Sequence, residues 1–162
     1  MTPFVSVKQE GHVAIVTLNR ADKLNAMTDE MYLRVTELFM QYQTDETVRA
    51  VILTGAGRAF CSGSDVTSMA PLGLVEGRAR MQTRHAMINA IVNLEKPVIA
   101  AVRGVAAGIG FAMAMACDLI VASDNAKFSQ IFKKIGFIPD GGSVVFLVEG
   151  LGIDRKSTRL KS

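Results

Sequence analysis

There is no tryptophan in this chain of 162 residues, only two cysteines and two histidines, and aromatic residues make up just 6% of it. Each shortage excludes something. Without rings interleaved along a basic stripe, the chain lacks the stacking platforms of a nucleic-acid binder. Cys61 and Cys117 sit in a sequence rich in Val, Ala, Met and Ile, which can build a core without crosslinks. Reduced thiols in a cytoplasm are therefore the expectation. His12 and His85 have no His or Cys partner at metal-ligand spacing, which predicts surface or core roles and no metal. Neither a Walker A loop nor a Gly-x-Ser-x-Gly elbow is present. Two Gly-x-Gly corners do follow apolar strands. Both fail as dinucleotide fingerprints, because Phe60 and Met113 stand where the third glycine or alanine belongs.

Long hydrophobic runs are missing as well. Arg103 and Asp118 divide the most apolar stretch, and the uncharged run from Gly104 to Cys117 is fourteen residues. That suits a buried core segment better than a membrane span of about 20 residues. Met1 to Gly11 carries Lys8 and Glu10 and lacks the apolar core of a secretory signal. Nor does charge of one sign dominate: four of the eighteen bases and one of the fifteen acids lie in residues 154–162, so fourteen of each remain before them. That tail, DRKSTRLKS, has no apolar face and no cap. It reads as a foreign addition to a frame cut short near Ile153, leaving one domain over residues 1–153 and a non-native tail over 154–162.

What is present is a folded α/β pattern, with 49% hydrophobic and only 20% charged residues. Val13 to Leu18 is a β-branched run feeding a turn-rich loop, and Thr28 offers an N-cap to a helix with Asp29 and Glu30 in its first turn. Met31, Val35, Leu38, Phe39 and Tyr42 give that helix one apolar face. Ala50 to Thr54, Pro97 to Val102 and Asp118 to Ala122 read as strands buried on both faces, and a second helix is expected within Val75 to Leu94. Alternating strands and helices predict parallel pairing with right-handed crossovers.

Two glycine-rich corners stand out, Phe60 to Asp65 and Gly104 to Gly110, each after an apolar strand. Glycine permits positive φ and close approach, and a helix starting near Gly108 would turn unsatisfied amides outward. The residues alone leave two readings open, an oxyanion-binding corner or a tight packing turn.

Four blocks in order carry a resemblance: NRADKLNAM (Asn19 to Met27), AVILTGAGRAFCSGSDV (Ala50 to Val66), KPVIAAVRGVAAGIGFAMAMACDLIVAS (Lys96 to Ser123) and KFSQIFKKIGFIPDGG (Lys127 to Gly142). Together they resemble the crotonase, or enoyl-CoA hydratase/isomerase, superfamily. The resemblance implies a spiral of ββα units, usually assembled as a homotrimer or hexamer, with a C-terminal helical region that this chain lacks. It implies an acyl-CoA substrate, with coenzyme A entering only as part of the substrate and no separate cofactor, no nucleic acid and no membrane. The backbone amides of Ser64 and Ile109 would bind the thioester oxygen, shaped by Gly63 and Gly108. Asp22, Lys23 and Leu24, with Ser62 and Asp65, would border coenzyme A, although Lys23 also reads as an ordinary solvated lysine.

In hydratases of the superfamily two glutamates hold a water, and their positions fall on Ala112 and Phe132. Asp140 instead resembles the single acid of members that shift double bonds, including isomerases of phenylacetate breakdown, in a pocket lined by Phe132, Ile109 or Phe137. Its alternative is a turn residue or helix N-cap. The resemblance thus favours an enoyl-CoA or ring-epoxide isomerase, ahead of a hydratase with a displaced acid or an inactive acyl-CoA-binding fragment.

Overall fold

A computed structural model of the chain describes residues 3–68, 73–132, 136 and 138–152. Strand β1 (Val5–Glu10) turns at Gly11 and His12 into the antiparallel β2 (Val13–Leu18). The tight connection is possible because Gly11 adopts φ +58°. From β2 onward the sheet is parallel: β3 (Ala50–Gly55), β4 (Val98–Val102) and β6 (Leu119–Ala122) follow in spatial order. A second, two-stranded parallel sheet pairs β5 (Val105–Ala107) with β7 (Lys127–Ser129). Helices α1 (Asp29–Thr44), α2 (Leu74–Val92) and α3 (Ile109–Met115) connect strands, and α4 (Ser143–Leu151) follows the second sheet. The fold is the expected α/β class, with β1, β5 and β7 not foreseen because each is short or polar.

Helix α1 forms where its sequence predicts. The Thr28 hydroxyl accepts a hydrogen bond from the Met31 amide at 3.3 Å, and Asp29 and Glu30 occupy the first turn. Met31, Tyr32, Val35, Leu38, Phe39 and Tyr42 are buried, one continuous stripe at helical period. Helix α2 turns Arg84, Met87, Ile88 and Ile91 inward, and the two helices cover the sheet with Val16, Leu18, Val51 and Leu53 in the shared core.

Two expectations are corrected. Neither Ala50 to Thr54 nor Pro97 to Val102 is buried on both faces: burial alternates along β3, with Val51 and Leu53 inside and Ile52 and Thr54 half-buried, and along β4, with Val98, Ala100 and Val102 inside and Ile99 and Ala101 half-buried. Helices cover one side of the sheet more completely than the other. Strand β6 departs further, for Leu119 is 60% and Val121 63% exposed. As an edge strand it pairs only with β4, and no described element covers it. The expected break near Ile153 and the tail 154–162 lie outside the described residues.

Candidate active site

The two glycine-rich corners meet, stitched by backbone hydrogen bonds. Phe60 and Cys61 amides both donate to the Val105 carbonyl at 3.1 and 3.0 Å, and the Ala107 amide returns a bond to the Cys61 carbonyl at 2.9 Å. Gly63 and Gly108 lie at the junction. A Cβ placed on Gly108 would sit 3.9 Å from the Gly63 Cα. Both have positive φ, +116° and +54°, a conformation that L side chains rarely adopt.

This junction frees two amides. Met27 donates to the Gly63 carbonyl at 2.8 Å and accepts from the Asp65 amide at 2.9 Å, a parallel bridge that turns the N–H of the intervening Ser64 away from Met27. Ile109 is the first residue of α3, where helical amides have no intrahelical acceptor. Among the described residues neither amide donates to a protein acceptor.

A buried side chain absent from the sequence-based candidates supports this corner. Asn25, wholly buried, donates through Nδ2 to the Ala56 and Ala59 carbonyls at 2.9 and 2.8 Å and accepts from the Arg20 amide at 2.9 Å. It therefore ties the loop of Asp22, Lys23 and Leu24 to the segment leading into the corner. The Ser62 amide donates to the Leu24 carbonyl at 3.0 Å, so this loop borders Ser62, with the Asp22 and Lys23 side chains exposed. Asp65 lies at the same corner with its carboxylate engaged. Arg20 is 2.8 Å away, and the Thr67 hydroxyl and amide donate at 2.7 and 3.0 Å. Those Thr67 bonds, then Arg20, hold its pKa down at about 2.

Beside the corner lies a polar cluster drawn from four segments. Tyr32 of α1 hydrogen-bonds its hydroxyl to Ser64 Oγ at 2.8 Å. Burial pushes the phenol pKa far up, so it remains a neutral hydroxyl at physiological pH. The Arg84 guanidinium of α2 stands 5.6 Å over the Tyr32 ring and 3.9 Å from Asp140 Oδ2. Asp140 precedes α4 but does not cap it. The N-cap is Gly142, and it is the Asp140 carbonyl that accepts from the Ser143 amide and hydroxyl at 3.1 and 2.6 Å. Its carboxylate points to Arg84 instead. Burial raises the Asp140 pKa, opposed by the positive charges of Arg84 and His85.

The segment carrying Asp140 touches the corner itself. A Cβ on Gly141 would lie 2.5 Å from Ile109 Cδ1 and 3.1 Å from Ala112 Cβ, while one on Gly108 would lie 3.7 Å from Phe132 Cζ. Ile109, Ala112, Phe132 and Asp140 thus gather around one junction, and Phe137 lies outside the described residues. Sequence reasoning missed Tyr32 and Arg84. The signal available for Arg84 was a charge on the inward stripe of α2 with Met87, Ile88 and Ile91; Tyr32 resembled any core aromatic. Two open grooves, one lined by Phe4, Met31 and Leu33 and the other by Val48 and Lys96, contain none of the site residues. Among the described residues no three His, Cys, Asp or Glu side chains gather as a metal site, and no helix is long and apolar enough to cross a membrane.

Comparison with known proteins agrees with this architecture. The model of the enoyl-CoA hydratase/isomerase family matches residues 8–158. The chain is 38% identical over 151 residues to the 1,2-epoxyphenylacetyl-CoA isomerase of Escherichia coli K12, covering 91% of this chain and 58% of that protein. It is also 38% identical over 150 residues to the short-chain-enoyl-CoA hydratase of Clostridium acetobutylicum, covering 92% of this chain and 58% of the relative. The solved structure of a putative enoyl-CoA hydratase from Streptomyces coelicolor A3(2) superposes with a TM-score of 0.92 at 34% identity, over 98% of this chain and 59% of that one. The chain spans less than two thirds of the length of these relatives. With matching blocks, fold and corner geometry, it belongs to the enoyl-CoA hydratase/isomerase family, the crotonase superfamily.

Proposed function

We propose that this chain carries the thioester-binding half of an acyl-CoA enzyme that shifts a double bond through an enolate. The observation that carries the reading is the pairing of the free Ser64 and Ile109 amides with one partly buried carboxylate, Asp140, where Ala112 and Phe132 offer no second acid. The two amides receive the thioester oxygen and stabilise the negative charge that develops there, each contributing about 3 to 4 kcal/mol in the transition state. Asp140 in its ionised form takes the proton from C2 of a 3-enoyl thioester. Electrons move into the C1–C2 bond and onto the thioester oxygen. As the enolate collapses, the double bond moves to C2–C3 and the Asp140 carboxylic acid returns its proton at C4. The carboxylate is regenerated, and no water is activated. Asp22, Lys23, Leu24 and Ser62 border coenzyme A, with Gly63, Asp65 and Gly108 holding the corner.

Asp140→Asn is expected to abolish isomerisation of a 3-enoyl-CoA while acyl-CoA binding, measured by calorimetry, is retained. Undiminished turnover removes Asp140 from the mechanism. A second reading, hydration of a 2-enoyl-CoA, is favoured by relatives named as hydratases. Loss of the conjugated thioester absorbance on adding a 2-enoyl-CoA would favour it over isomerisation. Homotrimeric or hexameric assembly belongs to the same proposal.

A further inference from the structure

One charged group in the cluster is unused by that chemistry. Arg84 is only 7% exposed, and its Nε has no hydrogen-bond partner. Its nearest anion, Asp140 Oδ2, is 3.9 Å from Nη1, beyond the reach of a charge-assisted hydrogen bond of about 2.7 to 2.9 Å. The other Asp140 oxygen, Oδ1, is likewise buried without a partner. A guanidinium and a carboxylate brought this close at low exposure ordinarily close to a bidentate pair, because an unpaired buried charge is costly. Here they stand apart, each with an unsatisfied atom.

The Tyr32 ring supports one face of the guanidinium, with Cζ 5.6 Å from the ring centroid, and the Tyr32 hydroxyl is committed to Ser64. No hydrogen bond joins Arg84 Nε to Tyr32 or any other group among the described residues, so Tyr32 does not supply the missing acceptor. Ile88, one turn beyond Arg84, would lie 3.7 Å from a Cβ on Gly141, so this face of α2 looks onto the segment carrying Asp140. The unsatisfied donor is consequently next to the base and, through Ser64, next to the corner that receives the thioester.

We propose that Arg84 is a specificity-determining residue that donates to a neutral oxygen in the acyl part of the thioester, a ring ether, epoxide or hydroxyl close to the carbons handled by Asp140. The oxygen is neutral because Arg84 and Asp140 already balance in charge; a substrate carboxylate would leave a net negative charge at low exposure. An oxygen acceptor completes the guanidinium, whereas a plain alkyl chain leaves it unsatisfied. This inference rests on the acyl-CoA reading of the site and adds the residue that recognises an oxygen in the acyl group.

The test uses two unreactive, near-isosteric thioesters, cyclohexylacetyl-CoA and its ring-ether counterpart tetrahydropyranylacetyl-CoA, titrated calorimetrically into the 162-residue chain. The ring ether is expected to bind roughly tenfold or more tightly than the carbocycle, the scale of one hydrogen bond to a charged group. Arg84→Met should bring the ratio to about one, and Arg84→Lys, which keeps the charge but loses the planar fork, should reduce it. Circular dichroism establishes that each variant is folded; should the Met variant not fold, the Lys variant decides. A ratio near one in the parent chain, or one undiminished by substitution, overturns the assignment. Failure of the parent chain to bind either thioester overturns the acyl-CoA reading itself. Turnover by Asp140→Asn alongside an Arg84-dependent ratio would sink only the choice of base.

Discussion

Asp140 carries opposing influences, and their balance sets a measurable pH dependence. Burial raises its pKa above 3.8, while Arg84 and His85 of α2 draw it down; the neutral Tyr32 of α1 faces the same cluster. Because the ionised form is the base, kcat/KM for isomerisation should fall as pH drops through a value above 3.8. The stability contribution has the opposite sense: protonated Asp140 favours the folded state, and that advantage is lost as pH rises through the raised pKa. An acidic limb at or below the ordinary carboxylate value would contradict this. Asp65 behaves inversely. With its pKa held at about 2, it stabilises the fold above the unfolded value of 3.8 and loses that contribution as pH falls towards 2. Asp65→Asn should flatten the acid-unfolding curve in that window, followed by far-ultraviolet dichroism. Asn25→Ala removes three hydrogen bonds at a wholly buried position with φ +56°. A loss of about 2 to 4 kcal/mol in urea unfolding is expected, since the buried Ala59 carbonyl and the part-buried Ala56 carbonyl both lose donors. Asn25 was visible in the sequence only as a member of a loop motif. Its role depends on Ala56 and Ala59, which no local pattern connects to it.

At the scale of elements, the helices were the most legible because their signals are local. Thr28, Asp29 and Glu30 announce the start of α1, and the Met31 to Tyr42 stripe announces its buried face. Thr28→Ala should therefore cost about 1 kcal/mol in the same unfolding measurement. The corner between β5 and α3 is more demanding. Gly108 combines φ +54° with ψ −123°, so Gly108→Ala strains the turn that presents the Ile109 amide. Turnover is expected to fall about 10²-fold to 10³-fold, as when an oxyanion donor is lost, with helix content preserved. Turnover within threefold of the parent, roughly a 0.7 kcal/mol effect, would separate the amide from the chemistry. Strands were harder. Strand β1 has only two apolar residues, Val5 and Val7, before the polar Lys8 to Glu10 on an outer edge, and β5 and β7 have three residues each, too few for a periodicity to register.

Across the whole molecule, the parallel sheet ends in a strand that an apolar sequence would place in a core. Leu119, Ile120 and Val121 are exposed on β6, whose outer edge has no partner among the described strands. Such an edge invites pairing. Sedimentation velocity should reveal concentration-dependent association, suppressed by Val121→Lys; sedimentation as a monomer at tens of micromolar would oppose this expectation. The sequence by itself determined the α/β class, the start and buried face of α1 and the glycine corners, because these depend on residue type and short-range spacing; that Ala112 and Phe132 stand where hydratases carry acids came from the family resemblance. Tertiary structure alone decided that β6 is uncovered, that Asn25 ties two loops together, and that Arg84 and Tyr32 join Ser64 and Asp140. Those relations link α1, α2, the corner and the approach to α4 across more than a hundred residues of sequence. The physical reason is that burial and charge pairing depend on where elements pack, which periodicity cannot specify.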